Sequence, residues 1–123
     1  MPWTVQFGDE FDREYQALAD DVQDVLLAAV ALLENMGPLL GRPHVDTLKG
    51  SKYANMKELR FPAAGGVWRV AFAFYTSRQA ILLIAGDKAG VNQDRFYKAL
   101  IAQADARCTA YLQRLRDLIR RRH

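Results

Sequence analysis

Cysteine is nearly absent from this 123-residue chain: Cys108 stands alone, so neither a disulfide framework nor a thiolate metal site is open to it. Histidine is almost as scarce. His44 and His123 lie far apart, and with one cysteine they form no ligand set of metal-binding spacing. A Gly-rich phosphate loop is missing too, because the GDKAG of residues 86–90 lacks the P-loop spacing and its trailing Ser or Thr. Ser51 and Ser77 are isolated hydroxyls with no histidine placed beside either, which removes a nucleophilic triad. No apolar run, whether Val25 to Leu33 or Ala80 to Ala85, approaches the roughly 20 residues that cross a bilayer. No charged segment followed by an apolar one opens the chain, and there is no repeat, low-complexity tract or linker. The expectation is one soluble, cytoplasmic domain over residues 1–123 that needs no metal and no cofactor.

What the chain does have is a divided charge. The formal net charge is +3, yet residues 1–41 hold one cation and eight anions, a sum of −7, and residues 42–123 hold sixteen cations and six anions, a sum of +10. An acidic layer behind or beside a basic surface suits a polyanionic partner, although a merely solvated surface is the commoner use of such charges.

Periodicity predicts the elements. Trp3, Val5 and Phe7 alternate as a short strand ending at Gly8, after which Asp9 can cap a helix carrying Phe11, Tyr15 and Leu18. A second helix starts near Asp20 or Asp21, places Val22, Val25, Leu26, Ala29, Val30 and Leu33 on one stripe, and stops at Gly37-Pro38. From Pro38 to about Ala54 runs an aperiodic loop carrying Arg42, His44, Lys49 and Lys52, long enough to be a functional loop. Strands are expected at residues 55–61, 67–75 and 79–86, with a turn at Pro62 to Gly66. In the middle strand Trp68, Val70, Phe72 and Phe74 share one face and Arg69 lies on the other with Val67, Ala71 and Ala73. Asn92 or Asp94 can cap a long last helix with the stripe Phe96, Leu100, Ala104, Cys108, Tyr111, Leu115, Leu118 and Ile119, whose basic end from Arg114 can fray. The result is an α+β domain: an antiparallel meander with one face covered by helices and the other, bearing Arg69, open.

Isolated cations stud these strands. Lys57, Arg60, Arg69 and Lys88 occupy places where β-propensity favours Val, Ile or Thr. Together with Glu58 and Tyr97 they suit metal-free cleavage of RNA. The 2′-hydroxyl is a built-in nucleophile, preorganised cations stabilise the phosphorane-like charge, and a crowded lysine can act as acid or base. Each residue also has a plainer use. Lys57 and Glu58 suit exposed strand charges, Arg60 a structural pair with Glu58 two residues away, Lys88 a turn salt bridge with Asp87, and Tyr97 a core position. Arg69 is the strongest candidate, since a central-strand arginine left unpaired is costly. Period-two geometry sets Lys57 and Arg60 on opposite faces, so their joint action requires a bulge.

The segments LGRPHVDTLKGSKYANMKELR, WRVAFAF, AILLIAGDKAG and RFYKALIAQAD, in that order, resemble the phage-Gp49-like, HigB branch of the RelE/ParE toxin superfamily over roughly residues 3–115. The resemblance implies a β-α-α-β-β-β-α toxin fold, with a small antiparallel sheet covered by two N-terminal helices and a long C-terminal helix. It implies an mRNA interferase acting in the ribosomal A site. Its partners are then mRNA, the ribosome and a helix-turn-helix antitoxin similar to HigA, with operator DNA reached through the toxin–antitoxin complex. Matched by motif, the catalytic set is Lys57, Arg69 and Lys88 with Arg60 and Tyr97, and the loop cations Arg42, Lys49 and Lys52 bind RNA. The histidine cluster that better-studied HigB toxins carry near the C-terminal helix is missing here, so the resemblance names no general base. Two other readings share the fold or the charge: a ParE-like gyrase inhibitor that is no nuclease, and an inactive nucleic-acid or protein-binding module.

Overall fold

In the computed structural model, which describes residues 2–122, nine segments follow one another along the chain. They are β1 (Thr4–Phe7), α1 (Asp9–Gln16), α2 (Asp20–Met36), a 3-10 turn (Gly37–Leu39), β2 (Val45–Thr47), β3 (Met56–Ala63), β4 (Gly66–Tyr75), β5 (Gln79–Asp87) and α3 (Gln93–Arg121). His123, considered above as a metal ligand, lies outside the described residues. The α+β class and the expected order of elements hold, with β2 as an addition inside the segment read as loop. A three-residue strand is too short to carry a period.

The five strands lie in the order β1-β5-β4-β3-β2. Three pairings are antiparallel, but β1 runs parallel to β5, Thr4 opposite Gln79 and Phe7 opposite Leu82, so the sheet is mixed. The turn between β3 and β4 is tighter than expected: Pro62 and Ala63 extend β3, leaving Ala64 and Gly65 to turn at positive φ. Asp9 does not cap α1, whose N-cap is Gly8, whereas the Asn92 side chain accepts the Arg95 N–H at the start of α3.

The expected open face does not exist. One face of the sheet carries Leu59, Phe61, Val70, Phe72, Ala80 and Leu82 and buries them against Phe11 of α1 and Val22, Leu26, Val30 and Leu33 of α2. The other carries Met56, Ala71, Ala73, Ile81, Leu83 and Ile84 and is roofed by Leu100, Ala104 and Cys108 of α3. Burial pushes the Cys108 thiol up to about 11. With helices on both faces, β5 reads as a continuous apolar run instead of an alternating one. Residues Asp20–Leu39 are long and apolar enough to pass for a membrane span, with a mean hydropathy of 1.3. In the fold that helix commits one stripe to the sheet.

Part of the acidic half meets the basic half directly. Both oxygens of Glu14 accept from Arg107 at 2.7 Å, and Arg107 also donates to the Leu83 carbonyl at 2.8 Å, just beyond the point where β1 stops covering the β5 edge. Arg114 reaches Glu10 at 3.8 Å. At the far end of the sheet the Trp3 ring stacks edge-on against Phe74, and the Trp3 backbone N–H donates to the Glu34 carbonyl.

Trp3 makes Gly37 irreplaceable. Gly37 closes α2 at φ +55° and ψ −138°, a region kept for glycine, and a Cβ there would lie 2.2 Å from the Trp3 indole nitrogen. Gly37→Ala is therefore expected to destabilise by about 2–4 kcal/mol, read as a fall in the urea midpoint at unchanged slope.

Candidate active site

The site forms where the first turns of α3 cross β3 and β4. On the α3 face Arg60 and Arg69 stand directly opposite each other across the ladder, a like-charge pairing that destabilises a sheet unless an anion intervenes. Glu58 intervenes. It lies two residues before Arg60, opposite the small Ala71, and is 2% exposed. Its Oε1 accepts a hydrogen bond from Arg60 Nε and another from the Tyr97 hydroxyl at 2.9 Å, and lies 3.8 Å from Arg69 Nε. Tyr97 in turn accepts from Arg69 Nε at 2.7 Å, so one hydroxyl links the second arginine to the acid. Arg69 also donates to the Val67 carbonyl and stacks over the Phe96 and Tyr97 rings, 5.8 Å from each centroid. The bond to Glu58 raises the pKa of the Arg60 guanidinium beyond its ordinary value, against the opposing effect of burial.

All these contacts fall on Oε1, leaving Oε2 without a hydrogen bond among the described residues. Grooves flank the cluster. One of about 610 Å³ is lined by Arg69, Asp87, Lys88 and Val91, and one of about 290 Å³ by Arg42, Lys49, Glu58, Arg60 and Tyr97. Such a surface sets fixed cations, a phenol and a carboxylate beside two open grooves. Among the described residues no group of three or more His, Cys, Asp or Glu converges to hold a metal ion.

Arg60, Arg69 and Tyr97 thus come together, and Lys88 joins them across the larger groove, entering no ion pair among the described residues; the Asp87 carboxylate accepts the Ala89 N–H instead. Arg42 lines the smaller groove while paired to Asp46 at 2.9 Å, and Lys49 lines it unpaired among the described residues. Lys52 turns aside, its Nζ over the Tyr53 ring at 5.4 Å. Lys57 does not join the cluster. The β3–β4 register runs unbroken from Met56 to Ala63, so no bulge brings Lys57 round, and its Nζ donates to Thr47 Oγ1 at 2.9 Å on the α2 face.

Several contributing residues were not singled out from the sequence. Asp105 accepts from the Ser51 hydroxyl and from the Lys52 N–H, and Thr109 bonds the Tyr53 hydroxyl, which together fasten the loop before β3 onto α3. Their signal was a second row at four-residue spacing, Gln93, Tyr97, Ile101, Asp105 and Thr109, beside the apolar stripe. Gly86 is the other: a Cβ there would lie 2.9 Å from the Phe96 ring, so glycine lets α3 settle against β5 beside Arg69.

The family pattern described as phage-derived protein Gp49-like matches residues 13–109, most of the chain and every residue of the cluster. The chain belongs to that family. Two curated proteins of Mycobacterium tuberculosis resemble this Gp49-like chain: the candidate toxin HigB3, 47% identical over 84% of this chain and 88% of its own length, and the candidate toxin HigB2, 41% identical over 94% of this chain and 57% of its own length. An arginine double mutant of the E. coli toxin RelE, solved in the free state, shares the fold with a TM-score of 0.59 at 11% identity, covering 83% of this chain and 96% of that one. These place the Gp49-like chain in the RelE/HigB toxin superfamily.

The cluster makes a prediction about stability. Glu58→Gln removes the charge that separates two facing arginines and should cost about 3 kcal/mol in urea unfolding. Adding Arg60→Gln should recover part of that loss, whereas strictly additive losses would mean that the two side chains are uncoupled.

Proposed function

We propose that this protein is the toxin of a type II toxin–antitoxin pair and that it cleaves messenger RNA on the ribosome without a metal. The observation that supports this reading is the meeting of Arg60, Arg69 and Tyr97 over Glu58 between two grooves, in a chain whose relatives carry toxin names.

The chemistry can be followed atom by atom. The 2′-oxygen attacks the adjacent phosphorus, the bond from phosphorus to the 5′-oxygen breaks, and the products are a 2′,3′-cyclic phosphate and a 5′-hydroxyl. Glu58 accepts hydrogen bonds and donates none when ionised, and with Oε2 unengaged it takes the 2′ proton. The Tyr97 hydroxyl, held by Arg69 Nε, gives its proton to the departing 5′-oxygen. Exchange with water then removes the proton from Glu58 and restores the one on Tyr97, which resets both groups. Arg60 and Arg69 face the charge that develops on the phosphoryl oxygens, and Lys88, Arg42 and Lys49 hold the flanking backbone. Lys57 stands outside this constellation, on the far face of β3.

Induction of the wild-type protein should stop protein synthesis first, by pulse labelling, and cleaved message should carry 5′-hydroxyl ends. Arg69→Ala should lower cleavage about 30- to 1,000-fold, the worth of one transition-state cation, while its circular dichroism stays native. DNA synthesis failing first with message intact would overturn the reading in favour of a ParE-like gyrase inhibitor.

A further inference from the structure

Helix α2 is apolar on two sides. Its inner stripe, Val22, Leu26, Ala29, Val30 and Leu33, is spent on the core. Its outer side continues past Asp24 as Leu27, Ala28, Ala31, Leu32 and Met36, followed by Leu39, and all six are exposed. The large ones are open to 47% at Leu27, 41% at Leu32, 43% at Met36 and 84% at Leu39. Ala28, Leu32 and Met36 succeed one another at i, i+4, and Leu27 with Ala31 forms the adjoining row, so the side chains make one ridge. Apart from the half-buried Glu34, no charged residue occurs between Asp24 and Arg42. A helix apolar around its whole circumference is one that becomes covered all round, yet only 33% of its apolar window is buried within the chain.

We infer that this ridge is the docking surface for a helix of the antitoxin, a partner helix with an apolar stripe that ends in lysines or arginines. The inference rests on the toxin–antitoxin reading above. The occupant follows from charge: Asp20, Asp21 and Asp24, all exposed, stand at the N-terminal end of the ridge, so the complementary surface is apolar along most of its length and basic at one end. A second copy of the chain fits poorly. Two-fold pairing through α2 either runs the helices antiparallel, laying the aspartates of each copy on Met36 and Leu39 of the other with no cation beside them, or runs them parallel, setting Asp20, Asp21 and Asp24 of one copy against the same aspartates of the other. An anionic bilayer is repelled by the same aspartates.

The location has a consequence. α2 covers the sheet face opposite the one that bears Arg60, Arg69 and Tyr97, so a helix docked there leaves the cluster uncovered. Neutralisation then acts by bulk, which keeps the toxin from entering a large assembly, and not by filling the site.

The test uses the full chain with its cognate antitoxin. Leu32→Asp with Met36→Asp should weaken the complex at least about 30-fold by biolayer interferometry, as loss of a central anchor does. Asp20→Lys with Asp24→Lys should slow association about tenfold at low salt and flatten its salt dependence. Both variants should remain toxic and unfold in urea close to wild type, and in cells the antitoxin should no longer rescue growth from the first. If the antitoxin binds and neutralises wild type and both variants equally, the inference is wrong while the toxin reading stands. If it binds none of them, wild type included, the toxin–antitoxin reading itself fails and the inference with it. A wild-type dimer that Leu32→Asp with Met36→Asp dissolves into monomers, or wild-type binding to phosphatidylcholine–phosphatidylglycerol vesicles that the same variant loses, overturns the antitoxin as occupant.

Discussion

A carboxylate with almost no access to solvent, set between two arginines that face each other across a strand ladder, is the constraint on which the rest of this molecule turns. Arg60 and Arg69 could not share one face of β3 and β4 without an anion nearby, and Glu58 could not be buried without cations. Tyr97 closes the arrangement from α3, so the same bonds that neutralise the charge also fasten the first turns of that helix to the sheet. Such an arrangement is seldom a gain in stability over well-packed apolar residues. Its return is rigidity: three polar groups are held in place before any ligand arrives, the condition under which fixed charges lower a barrier without reorganising.

The geometry around that cluster depends on a single irregularity in β5. Opposite Ala71 and Phe72 the register slips by one residue, so Ala71 faces Ile84 while Phe72 faces Leu82. Up to Leu82 the strand alternates, Ala80 and Leu82 toward α2 and Ile81 toward α3; past the bulge Leu83 and Ile84 both turn toward α3 and the alternation resumes reversed. Strict alternation from Ala80 would set Gly86 toward α2. The bulge sets it under Phe96 instead, where the missing side chain lets the ring pack on the backbone and brings the α3 start over Arg69.

This is also why the fold was legible in the sequence further than the site was. The alternation Trp68, Val70, Phe72, Phe74 assigned the α2 face of β4 and left Arg69 on the other, and the α2 stripe and the Gly37-Pro38 stop were written in local spacing. Local spacing is silent about partners distant in sequence. The parallel pairing of β1 with β5 joins residues some 75 positions apart, the roof that α3 forms over Arg69 depends on the bulge, and the Ser51–Asp105 fastening spans 54 residues. Arg60 was readable either as a contact for substrate or as the partner of Glu58; it is bonded to Glu58 and also lines a groove, so the two uses are compatible. Lys57 was singled out both as an isolated strand cation and by motif, although the period of β3 sets it on the face away from Arg60.

The division of charge along the chain becomes a division in space with a seam. Glu14 and Glu10 are consumed where α1 meets Arg107 and Arg114, so the acidic half does not form a separate layer beneath a basic one. Among the charges outside that seam, Asp20, Asp21 and Asp24 stand on the outer side of α2, and Lys49 with Lys88 lie along the grooves beside the cluster on the other face of the sheet. A sheet packed on both faces transmits little of a contact made on one side to the chemistry on the other, because close-packed interiors resist small deformations. A partner on α2 would therefore act on the grooves through the volume it adds to the molecule and not by altering the bonds among Glu58, Arg60, Arg69 and Tyr97.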